Sequence, residues 1–177
     1  MNLPNPLERA RKIRLLIMDV DGVLTDGRII QDSQGHELKV FDVKDGHGIV
    51  MAHRAKLKTA LISGRASETI TRRAEELGIE IVFQKIWNKL EVYEKILGDM
   101  HLIHEEVAYI GDDLIDIPLL RRVGLAVAVA DAVDEVKAHA HLITQRVGGQ
   151  GAVREVIEVI LRAQGVWDTL VERYTKA

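Results

Sequence analysis

Short apolar runs alternate along the chain with stretches whose apolar positions fall three and four residues apart. The first pattern marks buried strands and the second amphipathic helices. "KIRLLIMD", ending at Asp19, reads as a buried strand. "RIIQDSQGHELKVFD" reads as a hairpin, because its two halves flank the turn-forming run Asp32-Ser33-Gln34-Gly35. "GIVMAHRAKL" has helical spacing and precedes the strand "KTALIS"; "SETITRRAEELG" is a helix capped by Ser67 and closed by Gly78. "IEIVF" is a short strand, and "NKLEVYEKILGDM" a helix with Asn88 at its N-cap and Glu91 three residues on, close to a capping box. "VAYIGDD" and "LAVAVAD" are strands on either side of the helix "DIPLLRRVG", where Pro118 fits the first turn but not the middle. The helix "AVDEVKAHA", with Asp131 as its cap, and the strand "HLITQ" follow; "GAVREVIEVILRAQGVWDTLVERY" is one long helix or two broken at Gly165.

Strands alternating with helices imply βαβ units. The expected fold is therefore α/β: a Rossmann-like, doubly wound, mostly parallel sheet with helices on both faces. We expect one domain over residues 1–177, with a hairpin at about 28–41 and a helical tail at about 151–175. No repeat, linker or low-complexity segment interrupts it. In such sheets ligands bind beyond the carboxyl ends of the strands. That places "DVD", Asp19 and Asp21, where this architecture carries its chemistry.

Composition narrows the classes without choosing among them. A net charge of −3 does not favour a polyanion, and few aromatics argue against a base-stacking surface, so no nucleic-acid partner is expected. No cysteine is present, which excludes disulfides and thiolate metal sites and fits a reducing, cytoplasmic setting. No apolar run is long enough to span a bilayer, and the polar N-terminus lacks a signal core.

Three more strands lead into reactive groups. "TALISGR" ends in Ser63, Gly64 and Arg65; "VAYIGDD" ends in Asp112 and Asp113; Lys89 opens the helix after "IEIVF". A carboxylate is a competent nucleophile towards phosphorus, but an anion attacking a phosphate meets charge repulsion. Mg²⁺ relieves it and is commonly held by one or two carboxylates plus the phosphate. Asp19 and Asp112 suit that ion, Ser63 and Lys89 suit phosphoryl oxygens, and Asp21 suits proton transfer to the leaving group and from water. Each piece alone has a plain alternative: a strand-end Asp caps or turns, Ser63 forms an ST-turn, Lys89 is a solvated charge. Their joint order at successive strand ends is what favours a site.

With these residues in place the sequence resembles the haloacid dehalogenase superfamily. "DVDGVLT" looks like its first motif, implying Asp19 as nucleophile and Asp21 as general acid/base that also binds Mg²⁺ through its main-chain carbonyl. "ISG" looks like the second, with Ser63 on phosphate, and Lys89 like the third. "GDDLID" looks like the fourth, with Asp112 on the metal and Asp113 and Asp116 as supporting carboxylates. The second Asp of "DVD" points to phosphatase rather than dehalogenase chemistry.

End to end the chain is similar to the capless 3-deoxy-D-manno-octulosonate 8-phosphate (KDO 8-phosphate) phosphatases of lipopolysaccharide precursor synthesis, in "KVFDVKDGHGI", "SGRAS", "FQKIWNKLEVYEKIL", "IGDDLIDIPLL" and "TQRVGGQGAVREV". The resemblance implies a homotetramer assembled through central hairpins. It also implies an active site that borrows residues from the next subunit, including a glycine-rich C-terminal segment. Candidate substrate contacts are then Asp42, Val43, Lys44, Asp45, Gly46, Gly64, Arg65 and Arg73, the arginines suiting an acid sugar's carboxylate. Arg73 has an equal alternative as a helix ion pair with Glu76, and the hairpin one in folding back on its own domain. The tail after Gly165 is longer than the resemblance leads one to expect, and Trp167 and Leu170 suggest that it packs. His139 and His141 are spaced for a cap or surface role rather than a metal pair. Competing functions are the same chemistry on a nonulosonate 9-phosphate, a receiver-like phospho-aspartate module, and a silent scaffold.

Overall fold

In the computed structural model, which describes residues 5–176, a short helix α1 (Pro6–Ala10) leads into β1 (Leu15–Met18). A hairpin of β2 (Ile30–Gln31) and β3 (Glu37–Leu38) follows, then α2 (Val43–Arg54), β4 (Lys58–Ile62), α3 (Glu68–Leu77), β5 (Ile81–Phe83) and α4 (Lys89–Met100). The second half runs β6 (Val107–Gly111), α5 (Ile117–Leu120), β7 (Leu125–Ala128), α6 (Asp134–Lys137), β8 (Leu142–Ile143), α7 (Ala152–Ala163) and α8 (Trp167–Thr175).

Six strands form one sheet in the order β5-β4-β1-β6-β7-β8, and every pairing in it is parallel. Chain order reverses between β1 and β6, so the crevice of a doubly wound sheet opens beyond these two strands. In register, Met18 lies opposite Ile110, which puts Asp19 and the Gly111–Asp112 step side by side at that crevice. β1, β6 and β7 are buried along their whole length, as their unbroken apolar runs require. On one face α2 packs on α7, and α7 on α1 and α8; α4 packs on α5.

Local signals explain most boundaries. Ser67 Oγ accepts from the Thr69 N–H to start α3, and Gly78, in the left-handed region at φ +72°, ends it. Asn88 precedes α4 but makes no side-chain cap bond. Asp131 does not cap α6; its Oδ1 accepts from the Gly148 N–H at 2.9 Å. α2 begins a full turn earlier than "GIVMAHRAKL" suggests, because Asp42 Oδ1 accepts from the Lys44 and Asp45 N–H groups and carries Gly46 into the helix as well as Gly48.

The C-terminal segment is two helices, broken at Gly165 (φ +73°). Trp167 and Leu170 are buried, and the guanidinium groups of Arg154 and Arg162 lie 5.0 and 4.9 Å from the centroid of the Trp167 ring. Farther along, Tyr174 Oη accepts from Arg54 Nη1 at 2.6 Å. The tail thus packs on α2 and α7 of its own chain.

Candidate active site

Asp19 leaves β1 with its main-chain N–H on Ile110 O at 3.1 Å, and its Oδ1 accepts from the Val20 N–H at 2.7 Å. The loop then turns at Gly22, φ +89°. A Cβ there would strike the Asp112 carboxylate, so both the conformation and the close approach call for glycine. The two strand ends are in this way locked together.

Beneath them Lys89 is almost wholly buried, its Nζ 3.0 Å from Asp19 Oδ2 and 2.7 Å from Asp116 Oδ1. Asp116 is fully engaged. Its Oδ1 also accepts from Tyr109 Oη at 2.6 Å, and its Oδ2 accepts from the Asp112 and Asp113 N–H groups at 2.9 and 3.2 Å. Burial by itself would push the Lys89 ammonium down, yet the charges of Asp19 and Asp116 outweigh it and hold Lys89 above its usual range. Tyr109 is raised well above its ordinary value, by burial first and the Asp116 charge second. Asp113 is exposed, and its Oδ1 accepts from the Leu114 N–H, starting the 3₁₀ turn Leu114–Asp116.

The residues present fit a hard divalent cation. Asp19, Asp112 and Asp116 offer carboxylate oxygens that all lie within 4.8 Å of one another. Three carboxylates face one lysine, so the cluster carries excess negative charge. Burial and the neighbouring Asp19 and Asp116 charges accordingly push Asp112 up to about 8. Burial, partly offset by Lys89, pushes Asp19 to about 6. Asp112 Oδ1 is buried with no hydrogen-bond partner. An orphaned buried carboxylate oxygen beside excess negative charge is the signature of a cation's place.

Ser63, at the end of β4, is buried; its Oγ accepts from the Arg65 N–H at 3.2 Å, the ST-turn geometry. Arg65 leans over the mouth, Nε 3.7 Å from Asp21 Oδ2 and Nη2 3.1 Å from Glu37 Oε1. Lys39 Nζ is in contact with Asp21 Oδ1 and lies 2.9 Å from Glu37 Oε1. The base of the hairpin therefore folds over its own chain's site, while Ile29, Leu38 and Val40 remain exposed.

The remaining candidates lie in a second group. Asp42 caps α2, and Val43 is exposed. Asp45 is buried and caps α7: its oxygens accept from the Arg154 N–H at 2.7 Å and the Gly151 N–H at 3.2 Å, and burial pushes its carboxyl up to about 6. Arg73 pairs with Glu76 at 2.8 Å and covers Gly46, where a Cβ would collide with its guanidinium. Gly148 and Gly149 of the glycine-rich stretch press on Gly22 and Thr25 of their own chain. His141 Nδ1 accepts from the Ala126 N–H at 2.9 Å, a structural bond rather than a metal pair with His139.

Sequence reasoning missed Tyr109, Glu37 and Lys39. Tyr109 had a signal, a hydroxyl inside an otherwise apolar strand whose partner had to be found. Glu37 and Lys39 had none, since hairpin charges ordinarily face solvent.

The sequence description of the haloacid dehalogenase-like hydrolases matches residues 39–157. The chain is 48% identical to the 3-deoxy-D-manno-octulosonate 8-phosphate phosphatase KdsC of Yersinia pestis, over 89% of this chain and 84% of that one. A crystal structure of a probable YrbI family phosphatase from Pseudomonas syringae superposes with a TM-score of 0.96 at 47% identity, covering 97% of this chain and 98% of the other. The 3-deoxy-D-manno-octulosonate 8-phosphate phosphatase of Moraxella catarrhalis, solved with magnesium, phosphate and KDO, superposes with a TM-score of 0.94 at 38% identity, over 96% and 97% of the two chains. Motif order, sheet topology and these likenesses agree, and the chain belongs to the haloacid dehalogenase-like hydrolases, in the family of the 3-deoxy-D-manno-octulosonate 8-phosphate phosphatases.

Proposed function

We propose that the protein is a Mg²⁺-dependent phosphatase that hydrolyses KDO 8-phosphate to KDO and phosphate through an aspartyl-phosphate on Asp19. The observation that carries the chemistry is the buried Lys89 ammonium held between Asp19 and Asp116, beside an Asp112 oxygen with no partner. Lys89 fixes the Asp19 carboxylate and, with the Ser63 hydroxyl, receives phosphoryl oxygens as negative charge develops there. The Asp19 carboxylate attacks phosphorus, and Asp21 gives its proton to the departing sugar alkoxide. Asp21 then takes a proton from the water that cleaves the acyl phosphate. Mg²⁺, held by the carboxylates of Asp19 and Asp112 and the main-chain carbonyl of Asp21, would relieve the repulsion between nucleophile and phosphate. Asp116 orients Lys89, and Asp113 shapes the turn that presents Asp112.

The substrate rests on family membership and on the Moraxella catarrhalis relative solved with KDO. Phosphate release from KDO 8-phosphate, a nonulosonate 9-phosphate, simple sugar phosphates and a nucleotide, with Mg²⁺ and with EDTA, tests it. Mg²⁺-dependent preference for KDO 8-phosphate is expected. Preference for the nonulosonate would keep the mechanism and discard the substrate.

The assembly we propose is a homotetramer through the hairpin. A lone two-stranded ribbon is marginal in water, and exposed Ile29, Leu38, Val40 and Val43 line this one and its exit. Light scattering is expected to report a species larger than a dimer; a monomer at working concentration would overturn the shared assembly.

A further inference from the structure

Four charges form a closed ring at the mouth of the site: Asp21, Lys39, Glu37 and Arg65, alternating in sign. They come from three segments, the loop after β1, the hairpin and the turn after β4. One oxygen, Glu37 Oε1, takes both cations, Lys39 at 2.9 Å and Arg65 at 3.1 Å. Lys39 is buried in this contact, its side chain 2% exposed, so its charge is compensated within the ring. The two anions differ in how firmly they are held. Asp21 sits two residues from the nucleophile in a loop fixed by Gly22 against Asp112. Glu37 opens a two-residue strand of a ribbon whose side chains are largely exposed.

We propose that Glu37 is a resident stand-in for the substrate's own carboxylate. Arg65 and Lys39 read the acid group, and Glu37 holds them in place until an acidic sugar phosphate displaces it. This rests on the acid-sugar reading above. Exchange of one carboxylate for another at the same two cations keeps the charge-assisted bonds and the ring's neutrality. A neutral sugar phosphate offers only hydroxyls there and would have to bind with Glu37 still in place. The ring therefore tempers affinity for esters with a second anion, which must displace Glu37, and leaves a neutral ester, which binds with Glu37 in place, unaffected.

The test compares wild type with Glu37→Gln and Glu37→Ala, using KDO 8-phosphate and glucose 6-phosphate as substrates and calorimetric binding of KDO as a readout apart from turnover. Removing the internal competitor is expected to lower KM for KDO 8-phosphate and Kd for KDO together, by about tenfold. The ratio of kcat/KM between acidic and neutral ester rises by the same factor. A ratio that stays the same or falls in both variants, with their melting transitions intact, overturns the exchange. Failure of the acid-sugar reading appears elsewhere, as a wild-type enzyme that does not prefer the acidic ester. Failure of the exchange appears only in the variants.

Discussion

Two groups of charges lie a few residues apart in this molecule and are built in opposite ways. The lower one, Asp19, Lys89, Asp116 and Asp112, is anchored at two strand ends, the start of α4 and the 3₁₀ turn Leu114–Asp116; Lys89 and Asp116 are enclosed, and Asp116 has every oxygen engaged. The upper one, Asp21, Lys39, Glu37 and Arg65, spans two loops and a thin hairpin, with its arginine side chain 42% exposed. Buried charges of fixed position suit bond making, where preorganisation lowers the barrier. Charges carried on loops and a thin, exposed ribbon suit recognition, where one partner is exchanged for another.

The sharpest way to break this contrast is at the bottom of the lower group. Asp19→Asn keeps an oxygen for the Val20 N–H and removes one charge from an over-negative cluster, so the fold is expected to survive. Turnover should fall by at least ~10⁴-fold, as for loss of a nucleophile elsewhere. Phosphate release alongside a thermal melt checks both halves, and retained turnover removes Asp19 from its role. Lys89→Met comes next. It strands Asp19 and Asp116 as buried carboxylates without their cation, which costs about 3–5 kcal/mol in urea unfolding. Activity should drop about 10²–10³-fold.

Metal binding sharpens the same comparison from outside. Asp112 lies at about 8 and Asp19 at about 6, both above the usual carboxylate range because of burial and shared negative charge. Between the ordinary carboxylate value and those values the folded state binds more protons than the unfolded chain. Metal-free stability therefore falls as pH rises through about 4 to 8. A cation must displace the same protons, so Mg²⁺ should bind more tightly at pH 8 than at pH 6. At a hundredfold excess over Kd it should add about 2.7 kcal/mol to stability. Melting curves with and without Mg²⁺ at the two pH values measure this, and a stabilisation equal at both would separate Asp112 from the metal.

The lower group was legible in the sequence because strand-end position is a property of local pattern. An apolar run that stops at Asp19, or at Gly111-Asp112, already says where the side chain emerges. The upper group was not, because Lys39 and Glu37 acquire their partners only when the hairpin folds over Asp21 and Arg65, a contact that no spacing encodes. The start of α2 was lost for a local reason. Gly46 and Gly48 weaken the helical signal, while the structure uses their missing side chains to admit Arg73 and Arg154. Asp45 is a candidate substrate contact by resemblance alone; its role as the cap of α7 depends on a contact 109 residues away in sequence.

The smallest effect tests the finest distinction, between two aspartates that the sequence treats alike. "GDDLID" offers Asp113 and Asp116 as equivalent supports, but only Asp116 turns inward, because the 3₁₀ turn over Leu114–Asp116 swings it back beneath the Asp112 N–H. Asp113 makes one capping bond at the surface. Asp113→Ala is therefore expected to cost about 1 kcal/mol, the ordinary value of a lost N-cap, with turnover changed by no more than a few-fold. Asp116→Ala leaves Lys89, Tyr109 and two main-chain N–H groups without their acceptor, and turnover should collapse with stability. Equal losses in the two variants would mean that Asp113 acts on the metal or its ligands in a way its exposed position does not suggest. The division between the buried charge cluster and the exposed rim would then have to be redrawn one residue farther out.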